Sequence, residues 1–86
     1  MANRAEFQKV FEQVLRRHLR LVALDEPIRP DSLLASAGLD SVGTINLLLD
    51  LEDVFSVSLP GSMLTPETFR TRSSLESAFA SLMGDA

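Results

Sequence analysis

Three stretches of this chain repeat their apolar residues at the helical period, and all four prolines fall between those stretches. Proline inside a helix removes a donor and clashes with the preceding turn. The chain is therefore held to short helices joined by loops. Phe7, Val10, Phe11, Val14, Leu15 and Leu19 define the first apolar stripe and predict a helix over about 4–21. Asn3 followed by Glu6 reads as its capping box. Lys9, Gln13, Arg16 and Arg20 fall on the water side. Pro27 and Pro30 forbid a continuous helix across the loop 22–40, which Ile28, Leu33, Leu34 and Leu39 can pin to a core; Asp31–Leu34 can form one helical turn.

A second helix is predicted over about 41–55, with Asp40 or Ser41 as its cap. At about 100° per residue, Thr44, Leu47, Leu48, Leu51 and Phe55 share one face. Val42, Ile45, Asn46, Leu49 and Asp53 share the other. Three apolar residues on a water-facing side are more than solvation needs. This helix either packs on two sides or offers one side to a partner. Thr65-Pro66 reads as a cap with proline at the first helical position, opening a short helix over about 66–70. Ser73 with Glu76 reads as the capping box of a last helix over about 74–83, carrying Leu75, Ala78, Phe79 and Leu82. The expected architecture is all-α: a four-helix bundle of three principal helices and one short one, with a long first loop, in a single domain spanning 1–86.

Composition narrows the chemistry. The 86 residues include no cysteine and one histidine. A disulfide framework, a thiol nucleophile and sulfur-ligated zinc are excluded, and no metal-ligand set is predicted. The net charge is −4. No Lys or Arg falls between Asp31 and Phe69, a span that holds Asp31, Asp40, Asp50, Glu52, Asp53 and Glu67. That balance argues against a general nucleic-acid binder and toward a basic partner. No apolar run approaches the roughly 18 residues of a membrane span, and the first residues lack the apolar core of a secretory signal. A cytoplasmic, monomeric domain without membrane insertion is the expectation. His18 reads as a packed or helix-terminal histidine, and Arg16, Arg17 and Arg20 as surface helix charge. The carboxylates show neither a catalytic pair nor calcium-loop spacing.

Gly38-Leu39-Asp40-Ser41-Val42 joins the long loop to the apolar helix. This segment resembles the phosphopantetheine attachment site of acyl carrier proteins, with Ser41 in the modified position. The likeness continues through Asp40–Phe55, which is similar to that family's recognition helix, and through Val57-Ser58-Leu59-Pro60 beyond it. Gly43 and Asn46 stand where the fatty-acid carriers tend to have acids. The sequence looks closer to discrete D-alanyl and aminoacyl carrier proteins.

The resemblance implies a bundle of the acyl-carrier type that catalyses nothing itself. It implies a 4′-phosphopantetheine arm on Ser41 whose thiol holds acyl or aminoacyl cargo as a thioester, so the cofactor brings the sulfur that the chain lacks. Asp40 would cap the helix and present Ser41. Val42, Ile45 and Leu49 would form an apolar docking face, Asp50, Glu52 and Asp53 its charged rim, and Met63 and Phe69 its extension. The implied partners are a phosphopantetheinyl transferase, an acyl- or aminoacyl-activating ligase, and a downstream acyltransferase or synthase. The competing reading is a helical protein–protein interaction module with no covalent cofactor.

Overall fold

The computed structural model describes residues 4–23 and 25–83. Three α-helices form: α1 (Arg4–His18), α2 (Ser41–Phe55) and α3 (Arg72–Leu82). The described residues form no β-strand; Leu33 and Thr71 make one isolated antiparallel bridge. The class is all-α. Each helix buries the stripe that its spacing marked: Phe7, Phe11, Val14 and Leu15 from α1, Leu47 and Leu51 from α2, Leu75, Ala78 and Phe79 from α3. Burying each Leu or Phe contributes about 1.5–3 kcal/mol. Phe55 of α2 joins the other two helices at ring level. Its centroid lies 5.0 Å from Phe7 and 6.4 Å from Phe79. The loops add Leu19, Ile28, Leu34, Leu39 and Leu59 to the core. Leu33 stays exposed, so three of the four loop residues expected to pin the connection do so.

The first helix stops at His18, short of the expected 21. The amide of Leu21 donates to the carbonyl of Ala37 at 3.0 Å, so the chain turns against the long loop. Gly38 makes that approach possible. Its φ is +102°, and a Cβ there would lie 3.0 Å from the Leu21 amide nitrogen. Gly38→Ala is expected to cost about 1–3 kcal/mol through strained backbone and that contact. The urea midpoint measures it. The expected cap Asn3 lies outside the described residues.

The predicted turn of helix at 31–34 is replaced by turns over 34–38, in which the amides of Ala37, Gly38 and Leu39 bond to carbonyls of residues 33–35. The short helix expected at 66–70 does not form. A 3-10 helix lies earlier instead, at Gly61–Met63. Thr65 does bind the Thr68 amide, through its carbonyl at 3.1 Å and its hydroxyl at 3.3 Å. The turn cannot propagate, because Leu34 donates to the Arg70 carbonyl and Thr71 bridges to Leu33, which draws the chain out before α3.

The third helix starts at Arg72, two residues before the expected 74, under a capping box of Thr71 and Ser74 rather than Ser73 and Glu76. Ser73 and Glu76 are committed elsewhere. The Ser73 amide donates to the Pro30 carbonyl at 2.8 Å. Glu76 accepts from Arg72 Nε at 3.3 Å and from Gln8 at 3.0 Å. These contacts tie α3 to both α1 and the long loop, and the loop in turn delivers residues 39–41.

Candidate functional site

The site grows from the junction of loop and helix. Leu39 is buried and its amide donates to the Leu34 carbonyl at 3.1 Å, which anchors the last loop residue before α2. Asp40 follows in an extended conformation and caps the helix. Its Oδ1 accepts from the Gly43 amide at 2.6 Å, and its carbonyl accepts from both the amide and the hydroxyl of Thr44 at 2.8 Å. A Cβ on Gly43 would lie 3.0 Å from that same Oδ1. The glycine therefore lets the carboxylate close over the first turn. Asp40 rather than Ser41 is the cap, which leaves the Ser41 hydroxyl exposed on the first residue of the helix. At that end the helix presents the positive end of its dipole.

Ser41 borders a groove of about 470 Å³. Thr44, Ile45 and Leu48 form its α2 wall; Leu64, Thr65, Pro66 and Phe69 form the other. Phe69, expected to extend the docking face, lies on the second wall of this groove. Met63 does not line the groove: it sits in the 3-10 helix and packs against the core. Leu64 was not singled out in the sequence, yet it is the exposed apolar residue on that wall. Its only signal is its position between Met63 and Phe69, and the path of the 61–71 segment decides which of these side chains faces α2.

Val42, Ile45 and Leu49 are exposed, at 67%, 59% and 57%, and form an apolar ridge along α2. The three carboxylates expected beside them differ in use. Asp50 faces α1, its Oδ2 lying 2.9 Å from His18 Nε2 and 3.5 Å from Arg17 Nη1. Glu52 turns back to accept from the Leu59 amide at 2.7 Å, holding the chain where it leaves the helix. Of the three, Asp53 alone is exposed and makes no ion pair or side-chain hydrogen bond with the described residues. Arg16, expected on the water side, is half-buried. It donates to Glu12, to the carbonyl of Ala23 and to that of Glu26. Among the described residues, no three His, Cys, Asp or Glu gather as metal ligands. No described helix is long and apolar enough to cross a membrane.

Comparison with known proteins places this geometry. The family model for the phosphopantetheine attachment site matches residues 7–82. Aminoacyl carrier protein 2 of Bradyrhizobium diazoefficiens is 34% identical over 71 residues, which cover 83% of this chain and 80% of that protein. Aminoacyl carrier protein 1 of the same organism is 37% identical over 54 residues, covering 63% and 60%. Among solved structures, a chain in the crystal structure of the Bradyrhizobium japonicum glycine:carrier protein ligase complexed with glycylated carrier protein superposes with a TM-score of 0.71 at 29% identity, covering 84% of this chain and 96% of that one. A chain in the crystal structure of the same organism's glycine:carrier protein ligase complexed with its cognate carrier protein and an analogue of glycyl adenylate gives 0.74 at 28% identity, covering 87% and 96%.

The family's covalent group is 4′-phosphopantetheine, a flexible arm joined through a phosphodiester. The residues around Ser41 suit such a group. The hydroxyl is exposed, the helix terminus favours an anion, and the groove alongside is open and lined mostly by apolar side chains. By sequence over most of its length and by the architecture just described, this chain belongs to the phosphopantetheine-bearing carrier protein family.

Proposed function

We propose that this chain is an aminoacyl carrier that bears its arm on Ser41 and passes amino acids, held as thioesters, from an activating ligase to a downstream acyltransferase or synthase. The observation that carries the reading is the exposed Ser41 hydroxyl on the first turn of a helix capped by its neighbour, beside an open groove. The chain itself performs no catalysis on this reading. The arm supplies the thiol when bound. Asp40 sets the direction of the first turn, the helix terminus tolerates the phosphodiester, and the ridge of α2 meets the enzymes. The aminoacyl carriers among its relatives, and ligase complexes among its structural neighbours, support an amino acid as cargo and an amino-acid ligase as partner. The carrier works as one domain across 1–86, as a cytoplasmic monomer, and is first modified by a phosphopantetheinyl transferase.

Co-expression with a broad-specificity phosphopantetheinyl transferase, followed by intact mass, tests the reading. One added arm per chain is the expected result. Incubation with ATP, a small amino acid and an activating ligase should then add one aminoacyl group that hydroxylamine releases. No mass gain with any transferase would overturn the carrier assignment in favour of an interaction module. Ile45 carries a second expectation. Its side chain is 59% exposed, so Ile45→Glu leaves the thermal midpoint within a few degrees of wild type. The same change places a charge in the docking ridge and lowers the efficiency of ligase loading by about tenfold.

A further inference from the structure

The span from Asp31 to Phe69 is acidic and base-free, yet the surface around Ser41 is not. Folding sets the end of α1 and the residues after it against the first half of α2. Arg17, His18 and Arg20 there line a depression of about 240 Å³ shared with Asp40, Val42 and Asn46. The apolar ridge of α2 therefore has the Ser41 groove on one flank and two arginines on the other. Apart from the exposed Asp53, the acids of α2 and its cap are already engaged. Asp40 binds the Gly43 amide, Asp50 binds His18, and Glu52 binds the Leu59 amide. The arginines are held loosely. Arg17 lies 3.5 Å from Asp50 with its side chain 59% exposed. Arg20 lies 3.8 Å from Asp40 with its side chain 77% exposed. Exposed pairs of this kind contribute about 0–1 kcal/mol, so either guanidinium exchanges its carboxylate at little cost.

We propose that the Val42–Ile45–Leu49 ridge docks on an enzyme whose apolar patch is bordered by carboxylates, which pair with Arg17 and Arg20. This rests on the carrier reading and names the partner's chemistry. It inverts the basic partner that charge along the sequence suggests. Arg17 and Arg20 steer the encounter, and the ridge supplies the contact that excludes water.

The test uses the full chain in its phosphopantetheinylated form, every variant verified by intact mass, with an amino-acid ligase that loads the wild-type protein. Arg17→Glu/Arg20→Glu is expected to lower kcat/KM for loading about tenfold, chiefly through KM. Asp53→Lys is expected to raise it. Lys9→Glu, an exposed charge reversal well up α1, leaves it unchanged. Added salt slows wild type but not the double arginine variant. Should the reversal unfold the domain by repelling Asp40 and Asp50, Arg17→Gln/Arg20→Gln gives the same direction at a few-fold. Arginine variants that load as fast as wild type or faster, or a slower Asp53→Lys, would overturn the proposal. A wild-type protein that never takes the arm would remove the carrier reading and this inference with it.

Discussion

Ser41→Ala is expected to abolish covalent loading and to leave the fold unchanged. The two effects separate because the residue that caps α2 is Asp40, which holds the Gly43 amide at 2.6 Å. Ser41 is the first helical residue and is exposed. No hydrogen bond from its hydroxyl supports the helix among the described residues, and alanine is the best helix former. Circular dichroism and the thermal midpoint should match wild type. Intact mass after co-expression with a transferase should show no arm at all, against full conversion of the parent protein. Any residual modification of the alanine variant would move the attachment to another hydroxyl. Loss of folding instead would mean that Ser41 has a structural part that the geometry does not contain.

Arg72→Met is expected to produce the largest loss of stability, about 2–4 kcal/mol. That is a large fraction of the roughly 5–15 kcal/mol available to a small domain. The Arg72 side chain is only 13% exposed. Its Nη1 donates to Glu12 and to the Ile28 carbonyl, each at 2.6 Å, and its Nε to Glu76 at 3.3 Å. One side chain thereby fastens α3 to α1 and to the loop that leads to Ser41. Methionine fills similar volume but leaves the Ile28 carbonyl without its donor and two carboxylates without the cation between them. The thermal midpoint should fall by about 10 °C or more.

The same substitution changes the response to acid. Burial pushes the Glu12 carboxyl upward, but the hydrogen bonds and attraction of Arg72 and Arg16 outweigh it and hold Glu12 below its ordinary value near 4.5. A carboxyl lowered by folding contributes stability above its unfolded value, and that contribution is lost as the pH falls through the folded one. Wild type should therefore lose stability below about pH 4.5 as Glu12 takes up its proton. In Arg72→Met the loss over that range should be smaller, because the main hydrogen bond that lowered Glu12 is gone. Urea midpoints measured from pH 7 to pH 3 on both proteins read the difference.

The helices were legible because periodicity is a local property. The spacing of Phe7 to Leu15 and of Leu47 to Leu51 encodes which face meets the core, wherever that core comes from. The exposed ridge was legible for the same reason, since Val42, Ile45 and Leu49 fall opposite the buried stripe. Helix ends were less so. Ser73 and Glu76 form as good a capping box on paper as Thr71 and Ser74 do in the fold. The choice between them lies with Pro30, Gln8 and Arg72, all of which bind one or other of the rejected pair. The turn at 66–70 had a cap and a proline in the right order, but the bridge between Leu33 and Thr71 outcompeted its extension.

Sequence by itself determined the helical class, the buried stripes, the family likeness and the prominence of Ser41, because each depends on residues close together along the chain. Tertiary structure alone decided the electrostatics of the surface around that serine. Counted along the chain, residues 31–69 are purely acidic. In space, Arg17, His18 and Arg20 arrive from another segment, and Asp40, Asp50 and Glu52 turn to partners of their own. Charge acts through distance and solvent exposure, and only the packing of α1 against α2 sets either.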